Sequence, residues 1–387
     1  MLQQPISITG FSSISSLGIT REEIWEKYLD TKSLISYQTF NGTETPVSKL
    51  AIAQNEIIED LRKENSNFKN LDRSVLLAII ASRHCIRDAC WDNTSDFGIN
   101  IGSSRGATEL FERYHKEFLE ENIASTLSSP TTTLGNISSW VAQDLQSTGP
   151  DISHSITCST ALHGVLNGVA WLQSGLCDKF LVGGSEAPLT PFTIAQMKAL
   201  KIYAFQNNLD YPCQSLNIQK TKNTMFLGEG AGMLCLEKGK KKNTKALITG
   251  IGYATEPLKH YISISTEATC FQKSMKMALL GRDPSEIDAI VMHAPGTIKG
   301  DISEYNAIQK LFDSNKPSLT TNKWKIGHTF GASGILSLEL AILMLQHQEF
   351  IPVPFLEKQE LPKKLERILV NAVGFGGNAV SILVESV

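Results

Sequence analysis

Ile152–Gly164 reads ISHSITCSTALHG, and its single cysteine decides how the rest of the chain is interpreted. Ile152 to Thr157 is β-prone, small residues follow Cys158, and an apolar, helix-like segment runs from Leu162 to Leu172. Cys158 is therefore predicted at a strand-to-helix turn, where free backbone N–H groups and the positive end of a helix dipole favour a thiolate. Such a thiolate is a nucleophile with an oxyanion hole half built, because its own N–H points at the substrate carbonyl. A buried structural cysteine fits the same residues. The chain holds seven cysteines, so Cys158 needs partners to stand apart.

The chain's length of 387 residues implies two domains or one large α/β unit. A hydrophobic share of 42%, charged residues at 19% and a net charge of −3 describe an ordinary globular chain with no basic excess for nucleic acid. Cysteines 85, 90, 158, 177, 213, 235 and 270 form no CxxC and are odd in number, which predicts reduced thiols in a cytoplasm. The opening MLQQPISITG lacks the basic region and long apolar core of a signal peptide. No apolar run is expected to approach the ~18 residues of a membrane span. The default expectation is a cytoplasmic enzyme or binding protein.

Outward from the cysteine, strands and helices alternate on both sides. Ile6 to Thr9 reads as a strand followed by a Ser-rich loop to Gly18, and Thr20 as the N-cap of a helix from Glu22 to Leu29, with Glu23 completing a capping box. Arg73 to Asp88 has the spacing of a buried helix, and Asn65 to Asp72 reads as polar loop. Short strands are expected at Phe97–Gly102, Phe180–Val182 and Ala231–Leu236. KGKKKNTK, Lys238 to Lys245, reads as a solvated connection between two halves, 1–245 and 246–387. The second half restarts with a strand at Ala246–Ile251 and closes on Arg367–Val373, the turn Gly374-Phe375-Gly376-Gly377 and Ala379–Val384. This alternation predicts mixed or parallel sheets covered on both faces, without an exact sequence repeat.

His293, in VMHAPGTIKGDISE, follows a predicted buried strand in a loop with Gly296, Thr297 and Gly300. His328, in NKWKIGHTFGASG, lies in a glycine-flanked turn just before a helix. The histidines at 84, 115, 154, 163, 260 and 347 lack such settings and read as structural or surface groups. From the residues alone, one site built of Cys158, His293 and His328 and three unrelated core residues both remain open.

Six ordered motifs resemble the β-ketoacyl-acyl-carrier-protein synthases, condensing enzymes of the thiolase superfamily, over nearly the whole chain. They are ISITGFSSISSLG, ITCSTA, LGEGAGMLCLE, HAPGTIKGDISE, KWKIGHTFGASG and GFGG. Two histidines in place of His and Asn resemble the elongating, Cys-His-His class. The resemblance implies an α/β thiolase-like fold of five layers, α-β-α-β-α, made of two similar halves and working as a homodimer or with a ketosynthase-like partner. It implies no cofactor, no metal and no membrane span. Substrates would arrive on the phosphopantetheine of an acyl carrier protein.

By matched position, the resemblance assigns Cys158 as acylated nucleophile and His293 and His328 as donors to the malonyl thioester carbonyl. Lys323 would orient or charge-balance the histidines. The N–H groups of Cys158 and Phe375 would hold the oxyanion, with Phe375 also gating the acyl pocket. Thr297 would grip the pantetheine, and Gly376 and Gly377 would shape the substrate-binding turn. Lys63, Lys69 and Arg73, with Arg62, occupy the segment where the family docks its acidic carrier.

Several positions depart from the pattern. Pro295 stands where a threonine is usual, and LNIQKTKNTM keeps neither the arginine nor the aspartate of the family's RPFD-x-x-RDGF stretch. Ser337 and Val291 replace a glutamate and an asparagine associated with a structural monovalent cation, which predicts that this cation site is lost. TTTLGNISSWVA and HAPGTIKGD resemble ketosynthases of aryl-polyene or flexirubin-type pigment clusters. Two other classes are weighed. A non-elongating chain-length-factor partner typically lacks the cysteine. A thiolase acting on coenzyme A carries a second cysteine in its last glycine turn, and GFGG has none.

Overall fold

The computed structural model describes residues 2–387 except 92–95, 135, 205–209, 258–263, 314–315, 358 and 360. His260 lies outside the described residues. The strands are β1 Ile6–Ser15, β2 Ser36–Phe40, β3 Thr43–Ser48, β4 Gly98–Gly102, β5 Asp151–Ile152, β6 Lys179–Glu186, β7 Leu227–Gly228, β8 Gly230–Lys238, β9 Ala246–Thr255, β10 Ala289–Val291, β11 Ser318–Thr320, β12 Arg367–Gly374 and β13 Asn378–Glu385. Two five-stranded sheets run in the orders β1-β8-β6-β4-β5 and β11-β10-β12-β13-β9. Numbered within its own sheet, each follows 1-5-4-2-3, with antiparallel 1-5 and 5-4 pairs and parallel 4-2 and 2-3 pairs. The two sheets therefore share one topology, although no sequence repeat records it.

Side chains alternate across each strand, so one strand can feed two cores. In β6, Phe180 and Val182 face the cluster between the sheets while Leu181 faces the outer one. In β12 and β13, Ile368, Val370, Val380 and Ile382 face inward and Leu369 and Leu383 outward. The helices Thr160–Ser174 and Ser333–His347 fill the layer between the sheets. Arg73–Ala89 covers the outer face of the first sheet, and Thr269–Leu279 that of the second. The result is the five-layer α-β-α-β-α arrangement.

The segment Phe330–His347 corrects the expectation that no run is long enough to span a membrane: it reaches 18 residues at mean hydropathy 1.3. It is 89% buried, because the central layer meets apolar sheets on both sides and needs no polar face.

Other boundaries also moved. β1 does not stop at Thr9 but continues through the serines to Ser15, because β8 pairs along its length and Ser13 Oγ donates to Glu339 Oε2 at 2.7 Å. Glu23 completes no capping box: Thr20 Oγ1 accepts from the Glu23 N–H, but the carboxylate accepts from the Ile19 N–H and Lys27 Nζ. The stretch before Cys158 is strand only at β5, the sheet's edge. The hairpin β2–β3 turns at Asn41-Gly42, both at positive φ (48° and 75°), an Asn-Gly signal that the sequence carried openly.

The central helix should dominate stability. Ile342→Ala, at a fully buried position, should cost about 2–5 kcal/mol in urea unfolding. Leu176→Ala, at a 70% exposed position, should cost under about 0.5 kcal/mol. Similar costs would contradict the layer assignment.

Candidate active site

Cys158 sits in a single 3₁₀ turn, Thr157–Ser159, that leads directly into the helix Thr160–Ser174. Thr157 takes φ +47°, a left-handed conformation uncommon for a β-branched residue. Its surroundings hold it there. Thr160 Oγ1 donates to the Thr157 carbonyl at 2.6 Å and accepts from the Ile156 N–H at 2.8 Å. A Cβ on Gly374 would lie 1.9 Å from Thr157 Oγ1, so only glycine lets β12 approach the turn this closely.

His293 follows β10 on a loop in which Ala294 (φ +27°) and Gly296 (φ +91°) are both left-handed. Two acids one helical turn apart on Ile298–Phe312 fold back to hold that loop. Glu304 accepts from the N–H groups of His293 (3.0 Å) and Ala294 (2.9 Å) and from Asn371 Nδ2 (3.1 Å). Asp301 accepts from the N–H groups of Gly296 (3.0 Å) and Leu216 (2.9 Å) and pairs with buried Lys220 at 2.6 Å. The D-x-x-E spacing thus supports the histidine loop and does not enter the site.

His328 follows left-handed Gly327 (φ +68°). Its backbone is bonded on both sides to β7 and its neighbour: the His328 N–H donates to the Phe226 carbonyl at 2.8 Å, and its carbonyl accepts from the Gly228 N–H at 3.2 Å.

The three turns converge. Cys158 Sγ and one ring nitrogen of each histidine all lie within 4.8 Å of one another, and all three residues are buried. The imidazole centroids are 5.2 Å apart and the rings nearly perpendicular, at 81°. Two cavities meet here and, among the described residues, share Cys158, Phe330 and Phe375 as lining residues. One, of about 340 Å³, is also lined by both histidines, Thr297, Asn223 and Lys299. The other, of about 440 Å³, runs past Arg105, Phe111, Phe192 and Gln196.

Burial governs the charges. It pushes the Cys158 thiol up to about 12, with Glu186 adding to the rise, while Lys323 and Arg105 oppose it. The expectation of a resting thiolate at the helix N-terminus is therefore corrected: desolvation outweighs the dipole. Burial, and then Lys323, lowers His328 to about 3. His293 is held well below its ordinary value by burial, His328 and Lys323. Both rings are neutral at pH 7. Their Nδ1 atoms have no hydrogen-bond partner among the described residues.

Lys323 is 1% exposed and is brought down to about 8 by burial. Its Nζ donates to Asn322 Oδ1 at 3.1 Å and to Ser337 Oγ at 3.2 Å. Ser337, expected at a vanished cation site, sits on this lysine instead, and no carboxylate pairs with Lys323 among the described residues.

Of the other expected residues, Phe375 and Thr297 line the cavity, and Thr297 Oγ1 also caps its helix by accepting from the Gly300 N–H. Gly376 (φ +104°) and Gly377 (φ +71°) shape the turn but do not line the cavity; Val373 and Gly374 do. The carrier patch is weaker than expected. Arg73 turns inward, with Nε 2.7 Å from Glu229 and Nη2 2.6 Å from Asn55 Oδ1. Arg62 donates to the carbonyls of Lys69 and Leu71. Lys63 is exposed but pairs with Asp60 at 3.0 Å, leaving Lys69.

Sequence reasoning missed Lys220, which pairs with Asp301 from within the stretch that keeps neither the family's arginine nor its aspartate. It also missed Glu186, which accepts from Ser103 Oγ and the N–H groups of Ser104, Arg105 and Gly331 at 2.7–3.1 Å. Arg105, three residues beyond the predicted strand Phe97–Gly102, was not singled out either. Glu186 ends the observed strand β6, four residues beyond the end of the predicted one at Val182.

The β-ketoacyl synthase N-terminal domain model matches residues 3–242 and the C-terminal domain model residues 246–357. The chain is 27% identical to the 3-oxoacyl-[acyl-carrier-protein] synthase 2 of Staphylococcus aureus over 404 residues, covering 97% of this chain and 99% of that one. Its fold is similar to the ishigamide ketosynthase/chain length factor (TM-score 0.86, 19% identity, 99% of both chains). It is equally similar to a type II polyketide synthase acyl-carrier protein in complex with its ketosynthase bound to a hexaketide (TM-score 0.86, 17% identity, 99% and 100% covered). Two domain models laid end to end over a Cys-His-His site between two like sheets place the chain in the β-ketoacyl synthase family, the acyltransferase-type condensing enzymes.

Proposed function

We propose that this chain performs the decarboxylative Claisen condensation of its family through Cys158, His293 and His328, without a cofactor. The observation that carries this reading is the meeting of two cavities at Cys158 with both histidines on one side only. An acyl group can occupy the cavity past Arg105 while a pantetheine thioester occupies the cavity past Thr297. The same three side chains could ligate zinc, but a metal site would not need two cavities opening on its cysteine.

The acyl chain is delivered as a carrier thioester. Cys158 Sγ attacks its carbonyl, the carrier sulfur leaves, and the thiol proton passes by a neighbouring imidazole to that sulfur. Because the resting thiol is raised to about 12, deprotonation accompanies attack and does not precede it. A malonyl thioester then enters beside the histidines. With Nδ1 unengaged, an arriving carbonyl oxygen selects the Nε2–H form of each ring. Two neutral donors stabilise the enolate formed as CO₂ leaves. The enolate carbon attacks the acyl-Cys carbonyl, whose oxyanion lies between the Cys158 and Phe375 N–H groups, and the C–S bond breaks to release the chain-extended 3-oxoacyl thioester. Cys158 takes up a proton. Burial keeps both imidazoles neutral, and the positive charge of Lys323 adds to that effect.

The partners follow from the surface. The phosphopantetheine of an acyl carrier protein would enter past Thr297, with exposed Lys299 at the rim facing its phosphate. Carrier docking would rest on Lys69, with Lys63 paired to Asp60 and Arg73 turned inward. A second ketosynthase-fold chain, a copy or a relative, would cover the apolar residues Phe118, Leu119 and Ile123 (44%, 70% and 69% exposed) and pair with edge strand β5. Seven free thiols suit a cytoplasmic setting. Pro295 and Ser337 suit a specialised synthase, and TTTLGNISSWVA and HAPGTIKGD suit one of the aryl-polyene or flexirubin pigment type.

Three outcomes test this. His293→Ala and His328→Ala should each slow decarboxylation of a malonyl-carrier roughly 10²–10³-fold, followed as CO₂ release; near-native rates would remove that histidine from the site. Iodoacetamide alkylation of Cys158 should climb about tenfold per pH unit between 7 and 9, since a thiol raised to about 12 gains thiolate throughout that range; a plateau below pH 8 would contradict the raised value. Leu119→Glu/Ile123→Glu should shift the assembled species to single chains in light scattering; an unchanged mass would show that this face is not the interface.

A further inference from the structure

The cavity beyond Cys158 that would receive the acyl chain is not lined for hydrocarbon alone. Four phenylalanines, 111, 192, 330 and 375, form its apolar walls, yet Arg105 stands among them. Its guanidinium is half-buried and lies 5.2 Å over the Phe330 ring. Phe330 borders Cys158, so the guanidinium stands toward the thioester end of the cavity.

This arginine is held in place. Its backbone N–H donates to Glu186, which also ties down the Ser104 and Gly331 N–H groups on either side of the cavity. Its Nη1 donates to Gln196 Oε1 at 2.6 Å, and no carboxylate pairs with it among the described residues. Glu112, the acid in the same cavity, is committed to Thr190 Oγ1 (2.5 Å) and the Phe192 N–H (3.3 Å). A five-donor fork thus faces the acyl cavity with one N–H engaged.

We propose that Arg105 makes this site selective for acyl chains that carry a hydrogen-bond-accepting oxygen within the first few carbons of the thioester, over plain saturated chains. A saturated chain drawn past Arg105 would strip water from donors that then have no partner, whereas a hydroxyl or keto oxygen would replace that water. The phenylalanine walls meet the remainder of the chain. The step supplying such a substrate must leave an oxygen in place near the thioester, as a reductive cycle stopped short of full saturation does.

The proposal rests on Cys158 being the acylated nucleophile, and the experiment separates the two claims. S-octanoyl-pantetheine and its 3-hydroxy and 5-oxo analogues are each reacted with the full chain, and acylation of Cys158 is followed by intact mass and peptide mapping. At least one oxygenated analogue should acylate with kcat/KM roughly ten- to hundredfold above octanoyl. In Arg105→Leu, shown folded by its melting transition and unchanged in assembled mass, that ratio should fall to near one. Arg105→Lys, which keeps a donor and the charge, should retain part of it. Octanoyl preferred by the native chain, an unchanged ratio in Arg105→Leu, or a loss of assembly as the only effect would each overturn the assignment to Arg105 while leaving the condensation reading intact. No acylation of Cys158 by any of the three would overturn both.

Discussion

Glu304 accepts the backbone N–H groups of His293 and Ala294, Asp301 accepts that of Gly296, and Glu186 accepts those of Ser104, Arg105 and Gly331. The reactive side chains stand on irregular, partly left-handed backbone inside a dry core, where unpaired peptide groups would be costly. Buried carboxylates remove that cost, and in doing so leave Cys158 and both imidazoles uncommitted. Burial raises Glu186 and Glu304 to about 7, a measure of how strongly the interior resists charge even with several donors on each acid. Without these acids the turns at Ala294 and Phe330 would relax to ordinary conformations and the site would lose its shape.

The same dryness sets the electrostatics. Lys323 is buried against neutral Asn322 and Ser337, with no carboxylate in direct contact among the described residues. It acts instead on what surrounds it, lowering both imidazoles and drawing Cys158 downward against the larger effect of burial. A carboxylate at position 337 would cancel much of this field. The serine therefore leaves the Lys323 ammonium without a directly paired carboxylate, and its charge adds to burial in keeping two hydrogen-bond donors neutral.

The convergence of Cys158, His293 and His328 was legible in the sequence because each rides on a turn whose chemistry is local: small residues after Cys158, glycines around His293 and His328, and Asp301 and Glu304 at helical spacing. The alternation of strands and helices was legible, but the strand order shared by the two sheets was not, since topology is preserved while side chains diverge. Arg73 misled because its partner, Glu229, is 156 residues away and turns a surface-looking charge inward. Lys220 and Arg105 were missed for the same reason: their importance lies in what long-range packing puts opposite them. The serines of β1 read as loop because propensity is local, while the β8 ladder that makes them strand is not.

The most direct measurement is the covalent state of the chain after mixing with an acyl-carrier thioester alone and then with malonyl-carrier. The account predicts a single acyl adduct mapping to Cys158, which disappears as a carrier-bound 3-oxoacyl product two carbons longer and CO₂ appear in equal amounts. An adduct on any other cysteine, or product formed by Cys158→Ser, would contradict it.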